Sequence, residues 1–181
     1  MQHFEKAGPK LVSGPGEGMP VLVFTDGACE EAGTTVGGVI IEVGKQRECF
    51  GARLPDWMVD QWKTKESQIQ VIGQAEIYPL LLARLTWSAR LQNRRVIYFI
   101  DNEAARIGLV RAYSPVLPSL RLIMDCLGWD YTHNSQGWYA RVPSYSNCAD
   151  DPSRMVVPAD GLSKVVVPIF PPGFGADVVL G

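Results

Sequence analysis

Histidine and cysteine are scarce in this chain: the only histidines are His3 and His133, and Cys29, Cys49, Cys126 and Cys148 are scattered without a C-x-x-C pair. A zinc site is hard to assemble from such a set, and no disulfide framework follows from it. The cysteines are read as reduced packing residues. Long apolar runs are also missing. Runs such as residues 96–100 and 165–167 fall far short of the ~20 residues a membrane span requires, so no membrane association is expected. Glu5 and Lys6 stand where a secretion signal needs apolar residues. An intracellular setting is expected, without distinguishing cytoplasm from nucleus. No internal repeat of the solenoid kind is visible.

What the chain does contain is an ordinary globular balance, 46% hydrophobic and 20% charged over 181 residues, which excludes a largely disordered or fibrous polypeptide and suits one domain with extensions. Its net charge of −2 argues against nucleic-acid binding by bulk charge. The distribution is uneven. Seven arginines (84, 90, 94, 95, 106, 111 and 121) share their stretch with only Asp101 and Glu103, a balance of +5 that leaves −7 elsewhere. That stretch is a candidate phosphate-contacting face, against the alternative of solvated helix faces.

Residues 1–20 mix glycine and proline without periodicity and form a flexible lead-in, 21–154 the domain, and 155–181 a Pro/Gly-rich tail. Prolines in the tail interrupt each short apolar piece, so it wraps the domain or joins a neighbour. Within the domain, residues 21–25 read as a buried strand closed by an Asp26-Gly27 turn, 36–43 and 48–54 as two further strands in an antiparallel meander, and 96–100 as an apolar strand closed by Asp101. Helical spacing runs from 71 to 91, with Pro79 expected to kink the helix or delay its start. Helices at 102–112 and 119–127, a strand at 137–142 and a short helix from Ala149 complete the pattern. This order predicts an α/β fold, a mixed five-stranded sheet with the first three strands antiparallel, flanked by helices.

Carboxylates avoid the ends of buried strands unless paired or bound to metal. Here Asp26 and Asp101 each follow an apolar strand, and parallel pairing of those strands brings the two together. Glu76 lies between Ala75 and Ile77 in an apolar helical stretch, while Asp150 and Asp151 begin the last helix. A turn at Asp26-Gly27 and helix caps at Asp101-Asn102 and Asp150-Asp151 explain members singly; Glu76 has no capping role. Clustered carboxylates raise one another's pKa unless cations neutralise them, and oxygen ligands of this kind suit Mg²⁺ or Mn²⁺.

The blocks VLVFTDGACE, GQAEIYPLLLA, VIYFIDNEAAR and RVPSYSNCADDPSR together resemble the ribonuclease H domain of reverse-transcribing elements. The N-x-A-D-D-P-S-R ending is the most specific of them and is similar to hepadnavirus-like and retrotransposon polymerases. The resemblance spans residues 21–154 and implies the RNase H-like fold. It also implies that Asp26, Glu76, Asp101 and Asp150 form a catalytic set holding two Mg²⁺ or Mn²⁺ ions, with Asp151 the alternative to Asp150. The implied activity is metal-dependent hydrolysis of the RNA strand of an RNA–DNA hybrid, leaving a 5′-phosphate. Asn102, Ser144, Asn147 and Arg154 match motif positions and are candidate substrate-binding residues, Asn102, Ser144 and Asn147 serving hybrid contact or turn stabilisation.

Two features depart from that pattern. Cellular ribonucleases H often place a histidine shortly before the last carboxylate, where this chain has Tyr145-Ser146-Asn147. No Y-x-D-D polymerase signature occurs, so any reverse transcriptase partner lies outside this chain. The alternatives are another nuclease on the same fold, either an exonuclease or a structure-selective endonuclease, and a catalytically silent nucleic-acid-binding module. Trp62 with Lys63 and Lys65 is a further candidate substrate-side patch.

Overall fold

The computed structural model describes residues 18–63, 71–159 and 161–181. Three strands open it, β1 (Val21–Glu30), β2 (Gly33–Ile41) and β3 (Arg47–Arg53), paired antiparallel in that order. Val21, Val23 and Thr25 are fully buried while Leu22 and Phe24 are half-buried, the period of 2 expected of a strand between two layers.

Asp26-Gly27 does not turn the chain. Residues 27–30 pair with β2, from Gly27 opposite Val36 to Glu30 opposite Gly33, and the hairpin closes over Glu31 and Ala32. Gly33 takes a φ of +126°, which a side chain rarely tolerates. What does end near Asp26 is a different pairing: the parallel ladder between β1 and β4 (Arg95–Ile100) stops at Phe24 opposite Phe99. Asp26 therefore sits where β1 and β4 part company, mid-strand in one ladder and just beyond the end of the other.

Helices follow at α1 (Asp56–Asp60), α2 (Ile72–Thr86) and α3 (Ser88–Leu91), then β4, α4 (Glu103–Arg111), α5 (Leu117–Thr132), β5 (Gln136–Arg141) and α6 (Asp150–Ser153). The helix predicted over 71–91 is divided at Trp87, and α2 is continuous through Pro79. Pro79 has no N–H to donate to the Ala75 carbonyl one turn earlier. That carbonyl faces Gly27 of β1, where an added Cβ would lie 2.2 Å from it, so helix and strand meet backbone to backbone. Helix α2 is buried almost all round, against the sheet and α5.

The sheet order is β5-β4-β1-β2-β3-β6, with β7 also on β3, so seven strands replace the expected five. Both additions come from the tail: β6 (Ser163–Val165) pairs parallel and β7 (Val178–Val179) antiparallel to β3. They are short and peripheral, and β6 is confined between Pro158 and Pro168. Alternation sends Gly27 toward α2 and Asp26 toward α6, which lie on opposite faces. No helix among the described residues is long and apolar enough to cross a membrane.

The arginine stretch does not form one face. Arg84 is wholly buried, bidentate to Asp130 at 2.9 Å on both oxygens, 2.9 Å from the Tyr139 hydroxyl, and 4.1 Å over the Tyr98 ring. Arg90 and Arg94 pair with Glu42, and Arg106 with Glu103. Trp62 is likewise a core residue, tilted against Tyr78 at 5.5 Å, and Lys63 pairs with Asp60. Lys65 lies outside the described residues.

Candidate metal centre

Asp26 from β1, Glu76 from α2 and Asp101, the residue after β4, bring carboxylate oxygens within 4.8 Å of one another. Each arrives by a separate route. Asp26 is exposed to the others because the β1–β4 ladder has ended, Asp101 because β4 has ended, and Glu76 because Gly27 lets α2 settle onto β1. Asn102 then caps α4, its side-chain oxygen accepting from the Ala105 N–H at 3.0 Å, which turns the chain directly after Asp101.

This proximity is electrostatically unfavourable for a chain without counterions. Burial pushes the Glu76 carboxyl up to about 9, with Asp26 and Asp101 adding to the rise. Asp26 is raised to about 6, chiefly by burial, with further increments from Asp101 and Asp150 that the hydrogen bond from Ser153 partly offsets. One oxygen each of Glu76 and Asp101 is buried without a hydrogen-bond partner among the described residues. Buried acceptors are normally satisfied, and a hard divalent cation satisfies oxygens of this kind. The residues present fit Mg²⁺ or Mn²⁺.

Asp150 stands beside this trio rather than within it. Its side chain is about half exposed, and Oδ1 accepts from Arg154 Nε at 3.0 Å; Arg154 in turn reaches Glu30 at 2.7 Å. It is nevertheless close enough to raise the Asp26 pKa, whereas Asp151 is exposed. Asn147 is buried; its amide donates to the Thr25 carbonyl at 3.1 Å and its oxygen accepts from Ala149 N–H at 3.2 Å. Both asparagines thus hydrogen-bond to the backbone of local turns. Ser144 is exposed in a 3₁₀ turn, Ser144–Ser146, beside a cleft of about 350 Å³ that reaches Asp150 and Asp151.

One residue escaped the sequence analysis. Ser153 is completely buried, and its Oγ lies 2.5 Å from Asp26 Oδ2 and 2.8 Å from the Asp150 carbonyl. Its sequence signal is its place as the serine of the N-x-A-D-D-P-S-R ending, three residues after Asp150, to which no role was given. His133 stacks on Trp129 at 4.1 Å and follows α5, before β5 begins. Because β4 and β5 are parallel, it sits at the opposite end of the sheet from Asp101.

The backbone is similar to solved structures of RNase H1 proteins. RNase H1 from the halophilic archaeon Halobacterium salinarum NRC-1 superposes with a TM-score of 0.57 at 17% identity, over 75% of this chain and 96% of that one. The fold is that of ribonuclease H. LC11-RNase H1, solved in complex with an RNA/DNA hybrid, superposes with a TM-score of 0.54 at 14% identity, over 76% and 96% of the two chains. No protein-family model matches the sequence, and no curated protein does. On the ribonuclease H fold shared here, the carboxylates lie where β1 and β4 separate.

Proposed function

We propose that this chain is a metal-dependent endoribonuclease that hydrolyses the RNA strand of RNA–DNA hybrids. One observation carries it: three carboxylates remote in sequence converge within 4.8 Å, in a partly desolvated site, on a ribonuclease H fold. Asp26, Glu76 and Asp101 are the ligands, and Asp150 is the fourth, favoured over Asp151 by its proximity to Asp26. Two divalent cations, when bound, supply the charge that activates a water for in-line attack on the phosphodiester and neutralises the leaving oxygen.

The protein's own contribution is to hold the acidic groups close together against mutual repulsion; the charge of the cations, when bound, is what keeps them deprotonated. Burial strengthens their attraction for positive charge by lowering the local dielectric. Ser144, in the exposed turn beside Asp150, and Arg154, which flanks it, are positioned to meet the hybrid, and Asn102 and Asn147 serve by holding the turns. The 2′-hydroxyls distinguish the RNA strand. The hybrid bound by LC11-RNase H1 supports this substrate. A reverse-transcribing element as the source, and a polymerase partner outside this chain, are supported by the NCADDPSR ending alone.

Cleavage of a labelled hybrid in Mg²⁺ or Mn²⁺, beside single-stranded RNA and duplex DNA, tests the proposal. Hybrid-specific cutting that Asp26→Asn and Glu76→Gln each abolish is the expected result. The silent-module alternative draws on the engagement of Asp150 with Arg154, and it requires hybrid binding without cutting in either metal.

A further inference from the structure

Asp26, Gly37 and Gly51 form one row across β1, β2 and β3, directly opposite one another. The row has no side chains beyond Asp26, and α6 lies on it. A Cβ at Gly37 would come 2.3 Å from Ser153 N, and one at Gly51 would come 2.3 Å from Pro152 O. These two glycines let the α6 backbone rest directly on the sheet, which brings the Ser153 hydroxyl to the Asp26 carboxylate. From the other side, Asn147 ties the chain entering α6 to the carbonyl of Thr25, the residue before Asp26.

From this seating we infer that Ser153 is a positioning residue for the metal centre, fixing the orientation of the Asp26 carboxylate and its spacing from Asp150. The inference rests on the proposed nuclease function. A hydroxyl carries one proton, and toward an ionised Asp26 it donates to Oδ2, a charge-assisted bond stronger than one to a neutral carbonyl. With that proton directed to Asp26, the Asp150 carbonyl, 2.8 Å from the same oxygen, receives none from Ser153, and it is the backbone of α6, with Ser153 N–H donating to Ala149 O at 2.9 Å and Arg154 N–H to Asp150 O at 3.1 Å, that holds the start of the helix. Asp150 lies outside the three-carboxylate cluster, and its place in the same short helix as Ser153, anchored at Asp26, gives it a fixed place beside that carboxylate. A loose Asp26 would forfeit the preorganisation that makes a carboxylate cluster bind cations well, as outer-shell partners do for metal ligands generally.

The test is calorimetric titration of Mn²⁺ into the full chain, wild type against Ser153→Ala and Ser153→Thr, with hybrid cleavage measured on the same proteins. Ser153→Ala is expected to weaken Mn²⁺ binding by about 10- to 100-fold and to lower kcat similarly, with KM for the hybrid unchanged. Ser153→Thr, which keeps the hydroxyl, is expected to restore most of both. Wild-type Mn²⁺ affinity and kcat in Ser153→Ala would overturn the role of Ser153 while leaving the nuclease function standing, as would an equal loss in the threonine variant. A wild-type chain that neither binds Mn²⁺ nor cuts hybrid would overturn both. If Ser153→Ala does not fold, the threonine variant decides: folded and active, it supports the hydroxyl's role, and folded but unable to bind Mn²⁺ it refutes it.

Discussion

Glu76→Gln removes a carboxyl group that the metal-free fold accommodates only by keeping it protonated, and its effect on stability has a defined sign. The Glu76 carboxyl rises from 4.5 in the unfolded chain to about 9 in the folded one, mainly through burial. Between those values the unfolded state has lost the proton and the folded state still holds it. Stability is therefore undiminished below about pH 4.5 and declines as pH rises toward 9, by about 1.4 kcal/mol per pH unit. At pH 7 the accumulated loss is about 3 kcal/mol. Glutamine keeps the shape and has no proton to lose, so the metal-free variant is expected to be more stable than wild type by about that amount at pH 7, and level with it at pH 4.5. For a chain of this length, that is a rise in Tm of roughly 6–12 °C. The assay is thermal unfolding in a chelator at pH 4.5, 6, 7 and 8, repeated with Mn²⁺. Wild type is expected to gain stability from the cation and the variant to gain far less. A variant no more stable than wild type at pH 7, or a difference that does not grow with pH, refutes the claim that Glu76 is held at a cost.

Asp150→Asn is expected to reduce hybrid cleavage on the order of 100-fold, while Asp151→Asn stays within about twofold, because only Asp150 is coupled to Asp26. Steady-state kinetics on the two variants decides between the adjacent carboxylates. Asp130→Ala strands the buried Arg84 guanidinium, and chemical denaturation should show a loss of about 3–5 kcal/mol. Gly27→Ala drives a methyl group into the Ala75 carbonyl; it is expected to destabilise the chain by about 1–3 kcal/mol and to weaken Mn²⁺ binding, because α2 must withdraw and take Glu76 with it. Unchanged Mn²⁺ affinity in that variant would refute the role given to the strand–helix contact.

Elements with a local signature were legible from the chain alone. The alternating and apolar runs that became β1 to β5 and the helical spacing of α2 are short-range patterns, set by side-chain periods of about 2 and 3.6 residues. The order of Asp26, Glu76 and Asp101 relative to those elements followed directly. Other features depend on partners far away in sequence. Whether Asp26-Gly27 turns or continues was decided by pairing with β2, since glycine suits either and only the hydrogen bonds to residues 36 and 37 select the strand. Arg84 looks like a surface cation until Asp130, 46 residues later, satisfies it inside the core. The strands β6 and β7 exist because β3 offers an open edge to a tail with little intrinsic preference for structure. Ser153 came to matter only when Gly37 and Gly51 brought α6 onto the sheet beside Asp26. Periodicity determines which segments are strands and helices. Desolvation and hydrogen-bond pairing, which act between segments, decide which polar groups end up buried together, and here those groups make the site.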